Sequence, residues 1–198
     1  MNTKLNISIV LYNPIWQQVE DLTLELLQCQ YVHHVYWVDN SPNQRENIPI
    51  SSQKLHYIFN NHNMGYGAAH NIAIRESIYD DLVINPDIIV AANDLSTLVQ
   101  FVLSHAEVGL LVPKVVYPNG QLQYLCKLLP TPLDVFGRRF LPKNWMEKRN
   151  QRYELRQSGY NRIMNIPYLS GCFMLFRTKA VQKAKLFDEQ FFMYPEDM

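Results

Sequence analysis

The chain has 198 residues, of which 47% are hydrophobic and 18% are charged, and its formal net charge is zero. This balance is typical of a globular protein, and the length suits one α/β domain with a substantial core. A neutral chain has no overall field to attract nucleic acid or an anionic membrane, so we expect no nucleic-acid partner and membrane contact only through a local patch.

The cysteines and the N-terminal segment bear on the cellular setting. Cys29, Cys126 and Cys172 lie far apart and form no C-x-x-C pair. This spacing argues against a disulfide framework or a zinc site and favours reduced thiols. The segment MNTKLNISIVLYNP has no basic region or cleavage site of a signal peptide, and no apolar run approaches the ~20 residues of a membrane span. We therefore predict a cytoplasmic protein.

Strand-like and helix-like segments alternate through the first half of the chain. In chain order they are strand 7–12, helix 14–28, strand 35–40, strand 55–60, helix 68–78, strand 81–87, helix 94–105 and strand 108–117. Strands separated by helices predict right-handed βαβ units and a mostly parallel sheet whose strands all end along one edge. Ligands of such sheets bind at that edge.

Polar motifs follow four of these strands, where that edge is predicted. YNP, DNS, NHN and NPD each come directly after an apolar run. Their joint placement predicts a polar ligand site. The alternative is that they are only turn residues, because Asn, Asp, Pro and Gly are the commonest turn formers.

The second half of the chain has a different pattern. YPNGQLQYLC, residues 117–126, predicts a hairpin because a Pro-Asn-Gly turn separates two strand-like runs. Residues 129–162 have weak periodicity, which is typical of a functional loop or a disordered connection. Between Asp134 and Arg156, seven Lys or Arg oppose three acids. We expect this basic loop either to touch an anionic membrane or a charged glycan, or to be a solvated helical face.

The glycine-containing stretch NHNMGYGAAHNIAI, residues 61–74, precedes a helix-like run. Gly65 and Gly67 fit the first two glycines of G-x-G-x-x-G, but His70 stands in the third position. Its bulk would obstruct the close helix–strand packing that the third glycine allows. We therefore reject a dinucleotide site, and assign neither His62 nor His70 a catalytic role.

Two further stretches carry candidate acids. In VINPD, residues 83–87, Pro86 ends the strand and fixes the direction of Asp87. Asp87 is then a candidate ligand for Mg²⁺ or Mn²⁺ held mostly by substrate phosphates and water, or alternatively a helix cap. In FDEQFFMYPED, residues 187–197, apolar rings would raise carboxyl pKa values and favour general bases, although Asp188 and Glu189 are equally compatible with solvated loop charges.

Taken together, these motifs resemble the family 2 inverting glycosyltransferases of the GT-A fold, and most closely the rhamnosyltransferase-like members. The resemblance rests on six stretches in the same order, namely 8–14, 35–42, 61–74, 82–88, 167–181 and 187–198. It implies a single α/β domain with a mostly parallel sheet flanked by helices. Residues 1–90 would form the nucleotide-sugar-binding half and residues 91–198 the acceptor-side half. Relatives continue beyond the last motif, which implies that C-terminal elements are missing here.

The resemblance also implies roles for individual residues. Asp197 matches the general base, and Asp87 matches the metal and diphosphate residue. Asn85 replaces the first acid of Asp-x-Asp, which implies weak metal binding by the empty protein. Asp39 matches the carboxylate that contacts the nucleotide base, and Asn71 would face the donor. The implied substrate-binding residues are Tyr12, Asn13, Asp39, Asn40, Ser41, Asn63, Gly65, Gly67, Asn71, Asn85, Gly171 and Glu196.

The implied reaction is transfer from a dTDP- or UDP-sugar to a hydroxyl of a glycan or lipid-linked glycan, with inversion and a divalent cation, Mg²⁺ or Mn²⁺. It would serve surface polysaccharide or lipopolysaccharide synthesis at the inner face of a membrane. Peripheral membrane contact through the basic loop and a homodimer are left open. Two alternatives stay: a catalytically impaired nucleotide-sugar-binding or interaction protein, and a nucleotidyltransferase. The latter is disfavoured because LYNPIW after the first strand lacks a Gly- and Arg/Lys-rich phosphate loop.

Overall fold

A computed structural model describes residues 4–129, 131 and 143–192. Its helices and strands, numbered in chain order, are β1 (Leu5–Leu11), α1 (Trp16–Gln28), β2 (Val32–Asp39), β3 (Leu55–Phe59), α2 (Tyr66–Arg75), β4 (Asp80–Ile84), α3 (Ala92–Ser104), β5 (Leu110–Leu111), β6 (Cys126–Lys127), α4 (Lys143–Tyr153), a 3₁₀ turn (Arg156–Ser158), β7 (Tyr168–Leu169), β8 (Phe173–Phe176) and α5 (Thr178–Ala184).

The chain divides into two compact units, a division that the sequence analysis did not anticipate. The first unit runs to Leu111 and resumes at Gly171, and the second is Val112–Ser170. The boundary differs from the functional boundary predicted at residue 90 because β8 returns to the sheet of the first unit. The assignment of nucleotide and acceptor functions to the two halves of the sequence stays a prediction.

The first unit is built on one sheet of strand order β3-β2-β1-β4-β8-β5. The pairings β1–β2, β2–β3 and β1–β4 are parallel, which confirms the expected mostly parallel sheet. β8 is antiparallel to both β4 and β5. β5 has only two residues, whereas a strand to residue 117 was expected, and Pro113 explains part of the difference because it cannot donate to a strand ladder.

Both faces of this sheet are covered by helices. On β1, Ile7, Ile9 and Leu11 are fully buried in a core cluster that contains apolar residues of both α1 and α3. On the other face, Ala69 and Ala73 of α2 pack against β2. The small side chains of α2 let it approach the sheet closely. Fully burying each large aliphatic side chain contributes about 1.5–3 kcal/mol, which makes this sheet the stable scaffold for its loops.

The second unit contains the expected hairpin and a helix in the basic segment, where a helical face was one of the two alternatives. Val116 and Leu122 form an antiparallel bridge, and Gly120 has φ +81° in the intervening turn. β6 pairs with β7 in a separate two-stranded sheet. Helix α4 lies within the segment predicted as a loop, and residues 130 and 132–142 of that segment lie outside the described residues. Among the described residues, no helix is long and apolar enough to cross a bilayer.

Candidate functional site

The strand order changes direction at β1, which defines a binding edge. From β1 the chain adds β2 and β3 on one side, and then crosses to the other side to form β4. The four parallel strands end at Leu11, Asp39, Phe59 and Ile84. The motifs YNP, DNS, NHN and NPD therefore follow strand ends along one edge, as predicted. In open α/β sheets, ligands bind at such a switch point.

Asp39, at the end of β2, is fully buried. Its Oδ1 accepts a 2.8 Å hydrogen bond from the Ser41 amide, and its Oδ2 accepts a 2.7 Å hydrogen bond from the Tyr57 hydroxyl. Burial raises the pKa of Tyr57 to about 12, so Tyr57 stays a donor. In this arrangement Asp39 is not exposed to a nucleotide base, and its carboxylate instead organises the loop that follows β2.

Asn40 connects the strand ends to one another. Its amide donates to the Leu11 carbonyl at 2.8 Å. Its side-chain Nδ2 donates to Asn63 Oδ1 at 3.2 Å and to the Gly65 carbonyl at 3.1 Å, while its Oδ1 accepts from Asn60 at 2.8 Å. Because Asn40 is buried and these atoms are paired inside the protein, its role is to hold the NHN turn against β1 and β2.

The loop after β1 presents exposed side chains at this edge. Asn13 has φ +46°, and its amide donates to Ser41 Oγ at 2.8 Å. Ser41 is buried, whereas the side chains of Tyr12 and Asn13 are exposed. Tyr12 is 56% exposed. An exposed aromatic ring at a switch point is suited to stack on a flat ligand.

Asn85 and Asp87 follow β4 in a tight turn. The Asn85 amide donates to the Cys172 carbonyl at 2.9 Å, and the Ile88 amide donates back to the Asn85 carbonyl at 3.2 Å. Asp87 is exposed. The cap position of α3 is Ala91, which makes no side-chain cap hydrogen bond. Asp87 is therefore not the cap of that helix, and of the two alternatives to a ligand-binding role only that of a turn residue stays.

The residues present fit a weakly held cation rather than a protein-enclosed one. The described residues contain no group of three or more His, Cys, Asp or Glu side chains placed to hold a metal. One exposed carboxylate, Asp87, suits a Mg²⁺ or Mn²⁺ ion whose other ligands are substrate phosphates and water. The weak metal binding by the empty protein that Asn85 implies stays a prediction.

Gly65 starts helix α2 in a conformation that requires glycine. Its φ is +91° and its ψ is +173°, a region essentially restricted to glycine. A Cβ at this position would lie 2.4 Å from the Phe192 carbonyl oxygen. Asn63 Oδ1 accepts from the Gly65 amide at 3.0 Å. Gly67, in the first turn of α2, is buried. Glycine is thus needed at position 65 for two reasons, the backbone conformation and the approach of Phe192.

The Asn71 side chain is paired inside the protein, and its predicted contact with the donor stays a prediction. It is fully buried, its Oδ1 accepts from the Phe187 amide at 3.0 Å, and its Nδ2 donates to the Phe187 carbonyl at 2.9 Å. Nδ2 also donates to Glu189 Oε1 at 2.8 Å. The Asn71 side chain therefore holds the segment after α5 through hydrogen bonds to Phe187 and Glu189.

Gly171 lies beside two other predicted site elements. Its carbonyl accepts a 2.6 Å hydrogen bond from the Tyr66 hydroxyl of α2. The next residue, Cys172, accepts from Asn85. The turn before β8 is therefore held between the start of α2 and the NPD turn, and the acceptor-side role of Gly171 stays a prediction.

The acidic residues of the last motif differ in their environments. Asn71, and then Arg75, lower the pKa of Glu189 by hydrogen bonding, so Glu189 does not have the raised pKa expected of a general base. Asp188 is exposed, and its Oδ1 accepts from the Gln190 amide at 3.0 Å. These two acids fit the alternative of loop charges. Glu196 and Asp197 lie outside the described residues.

His70 is a core residue, and His62 is a surface residue. His70 is fully buried, and its Nδ1 lies 2.7 Å from Ser8 Oγ of β1. Burial lowers its pKa to about 3, so the ring is neutral. The exposed His62 contacts the Asn60 carbonyl through Nδ1 at 2.8 Å. Neither has the surroundings of a catalytic residue.

Sequence reasoning missed Tyr57 and Tyr66, which contact two predicted site residues. Tyr57 meets Asp39 because β2 and β3 pair in the register Trp37↔Tyr57. Tyr66 reaches Gly171 across 105 positions of sequence. Tyr66 lies within the 61–74 stretch, but neither its partner nor that of Tyr57 is marked by a local pattern, because both partners are set by tertiary contacts.

Two solved transferase structures are similar to this chain in fold. The chain is similar to the structure of a mannosyltransferase from Pyrobaculum calidifontis in complex with GDP-Man and Mn²⁺, with a TM-score of 0.60 and 15% identity over 94% of this chain and 48% of that one. It is also similar to a CMP:2-keto-3-deoxy-manno-octonic acid synthetase complexed with CTP, with a TM-score of 0.52 and 11% identity over 92% of this chain and 78% of that one.

No protein-family model and no curated protein sequence matches the chain. The chain spans about half the length of the mannosyltransferase that it resembles. At identities of 15% and 11%, these similarities establish the fold and not the activity. The first unit therefore has a mixed α/β fold of the GT-A type, with a mostly parallel sheet flanked by helices.

Proposed function

We propose that this chain is a glycosyltransferase domain of the family 2, rhamnosyltransferase-like type. It takes a sugar from a dTDP- or UDP-sugar and transfers it with inversion to a hydroxyl of a glycan or lipid-linked glycan. The observation that carries this proposal is the meeting of four polar strand ends at the switch point of a GT-A sheet. The mannosyltransferase of the same fold, solved with GDP-Man and Mn²⁺, supports it.

The exposed residues at the edge have distinct roles in this proposal. Tyr12 stacks against the nucleotide base, and Asn13 contacts the ribose or phosphates. The buried Asn40, Ser41 and Asp39 do not reach the donor directly; they hold the loops that carry the exposed side chains. Rigid support of a binding loop raises affinity because less conformational entropy is lost on binding.

Asp87 is the residue that would hold a divalent cation together with the donor diphosphate. A bound cation would supply Lewis-acid stabilisation of the charge that accumulates on the departing diphosphate. Asp87 orients the diphosphate at the end of β4, and the Asn85 turn fixes Asp87 in place through the Cys172 carbonyl. The Asn85 side chain, half-buried beside it, provides neutral hydrogen bonding in place of a second acid.

Asp197 is the general base in this proposal, with Glu196 beside it on the acceptor side. It would remove the proton from the acceptor hydroxyl as that oxygen attacks the anomeric carbon from the face opposite the diphosphate. The C–O bond to the acceptor forms as the C–O bond to the diphosphate breaks, which inverts the anomeric centre. General-base catalysis of this kind contributes roughly 10²–10⁴-fold in rate.

The cellular assignment follows the same proposal. The enzyme would act in the cytoplasm at the inner face of a membrane, in surface polysaccharide or lipopolysaccharide synthesis. The surplus of Lys and Arg between Asp134 and Arg156 supports peripheral attraction to anionic lipid or to a charged glycan. Light scattering on the purified chain tests whether it forms a homodimer.

A thermal-shift screen tests donor binding. The purified chain is heated with GDP, UDP, dTDP or CDP and with their sugar conjugates, each with and without Mn²⁺. A ligand that binds only the folded state stabilises it, by about 2.7 kcal/mol at 100 times Kd. We expect one nucleotide diphosphate family to raise the melting temperature, and to do so more strongly with Mn²⁺. Absence of a shift with all of them would overturn the proposal.

Nucleotidyl transfer is the second candidate, because the CTP-bound synthetase shares the fold. The loop after β1, Tyr12-Asn13-Pro14, has no glycine or basic residue for a triphosphate, which disfavours it. Incubation with CTP and a sugar acid, followed by a pyrophosphate assay, separates the two activities. Nucleotide-diphosphate binding without any turnover would instead favour the impaired, binding-only alternative.

A further inference from the structure

Residues 187–192, which we call the docked segment, lie against helix α2 through a buried side chain. The Asn71 side chain hydrogen-bonds to both backbone polar groups of Phe187. Its Oδ1 accepts from the amide at 3.0 Å, and its Nδ2 donates to the carbonyl at 2.9 Å. Asn71 is fully buried. A side chain that pairs with both groups of one residue fixes the position and orientation of that residue.

The far end of the docked segment is held at the start of the same helix. The Tyr66 amide donates to the Phe192 carbonyl at 3.2 Å. This carbonyl oxygen occupies the space where a side chain at position 65 would begin, because a Cβ there would lie 2.4 Å away. Gly65 therefore permits the approach, and Tyr66 completes it with a hydrogen bond.

Apolar and ionic contacts lie between these two attachments. The ring of Phe187 is nearly buried and meets the rings of Tyr66, His70 and Phe176 at centroid distances of 6.2, 6.1 and 5.8 Å. Arg75, at the end of α2, pairs with Glu189. The docked segment thus contacts helix α2 from its first residue to its last.

The entry to the docked segment is conformationally strained. Lys185 and Leu186, directly before Phe187, have φ +64° and +68°. Two consecutive non-glycine residues in the left-handed region cost conformational energy and persist only when surrounding contacts hold them. The amides of Lys185 and Leu186 donate to the Gln182 and Val181 carbonyls at 3.2 Å, and the contacts of Asn71 and the Phe187 ring hold the residue that follows.

We infer that Asn71 and Gly65 are positioning residues that place the docked segment, and through it the acidic pair that begins four residues beyond Phe192. The inference rests on the proposed function, in which Asp197 is the general base. Asp197 follows Phe192 by five residues, which span at most about 18 Å, so the attachment of Phe192 limits how far from it the base can lie. The asparagine and glycine of the NHNMGYGAAHN stretch thereby act on the acceptor side of the reaction, not on the donor.

Asn71→Ala tests the first attachment. It leaves the Phe187 amide and carbonyl without their partner, so we expect hydrogen exchange at the Phe187 amide to become at least 10-fold faster. Turnover of the sugar-transfer reaction should fall at least 10-fold. The Kd for the nucleotide diphosphate that the thermal-shift screen identifies should change less than twofold. A loss of nucleotide affinity as large as the loss of turnover would overturn the inference in favour of direct donor contact, and so would unchanged turnover.

Gly65→Ala tests the second attachment and has a matched control. Both Gly65 and Gly120 have positive φ, but a Cβ on Gly120 would meet nothing within 4 Å. We expect Gly65→Ala to speed exchange at the Tyr66 amide and to lower turnover at least 10-fold with nucleotide Kd retained, and Gly120→Ala to do neither. Equal effects of the two substitutions would overturn the inference, since they would then report only backbone strain.

The exchange measurements separate this inference from the proposed function. If the unsubstituted chain binds no nucleotide diphosphate, the proposed function fails, and exchange at Phe187 and Tyr66 alone decides whether Asn71 and Gly65 hold the docked segment. Exchange that is unchanged in both variants would overturn the positioning role even in a chain that is fully active. If the Asn71→Ala protein does not fold, the comparison of Gly65→Ala with Gly120→Ala decides the inference.

Discussion

The hydroxyl of Tyr57 donates a 2.7 Å hydrogen bond to Oδ2 of Asp39, which is fully buried at the end of β2. The same carboxylate accepts from the Ser41 amide through Oδ1. Ser41 in turn accepts from the Asn13 amide. One buried carboxylate therefore connects the third strand to the loop that carries the exposed Tyr12.

Tyr57→Phe should destabilise the protein by about 1–3 kcal/mol, because it leaves a buried carboxylate oxygen without its donor. Urea unfolding followed by circular dichroism measures the change in the free energy of unfolding. Tyr12→Phe is the matched control, since that hydroxyl belongs to an exposed side chain. An effect below 0.5 kcal/mol, taken as roughly the scale of an ordinary surface substitution, would contradict this account of Asp39.

Asp87→Ala should abolish the Mn²⁺-dependent part of nucleotide-diphosphate affinity while leaving the melting temperature of the empty protein unchanged. The reason is that Asp87 is exposed and is not the cap of α3. Isothermal titration calorimetry with and without Mn²⁺ measures the difference. Asp94→Ala, which removes another exposed acid, should bind like the unsubstituted protein, and equal behaviour of both variants would argue against Asp87 as the metal residue.

Asp197→Asn should lower sugar transfer by roughly 10²–10⁴-fold, the range of general-base catalysis, with nucleotide binding retained. Single-turnover transfer with a radiolabelled donor measures the loss. Asp188→Asn is the control because Asp188 is an exposed acid in the same motif. If Asp188→Asn removed transfer and Asp197→Asn did not, the base would have to be reassigned.

Asp81→Asn should make the protein more stable than the unsubstituted chain above pH 7. Burial raises the pKa of Asp81 to about 7, with a further contribution from Asp80, and its Oδ2 has no partner among the described residues. The folded state therefore holds a proton that the unfolded state releases from about pH 4 upward. Stability is lost as pH rises from about 4 to 7, at up to about 1.4 kcal/mol per pH unit.

The free energy of unfolding, measured from pH 4 to 8, checks this prediction as the difference between Asp81→Asn and the unsubstituted chain. We expect that difference to grow up to pH 7 and then level off. Glu107→Gln, at an exposed position, should show no such trend. A difference that does not change with pH would mean that Asp81 ionises normally in the folded protein.

His70→Leu should reduce the loss of stability in acid. Burial lowers the pKa of His70 to about 3. Below about pH 6.5 the His70 ring therefore binds a proton in the unfolded state but stays neutral in the folded state. Stability therefore falls as pH drops from 6.5 towards 3, by up to about 1.4 kcal/mol per pH unit. Unfolding measured from pH 4 to 7 should show a flatter slope for His70→Leu, with His62→Leu as the exposed control.

The order of the strands and helices in the first unit follows from local patterns. The runs ISIVLY, VYWVDN and LHYIFN bury apolar side chains on a sheet, and the periodic apolar residues of α1 and α3 match the face that they cover. Strands alternating with helices leave little choice but parallel pairing with all strand ends on one edge. For that reason the sequence predicted both the sheet and the edge at which a ligand would bind.

The partners of the polar residues were decided by tertiary structure. Asn71, Gly65 and Asp39 belong to motifs that predict donor contact, yet Asn71 and Gly65 serve residues more than 100 positions away and Asp39 is covered by Tyr57. The return of β8 between β4 and β5 and the raised pKa of Asp81 likewise depend on distant segments. Local propensity determines which elements form, whereas burial and hydrogen-bond partners depend on the register and packing of elements far apart in the chain.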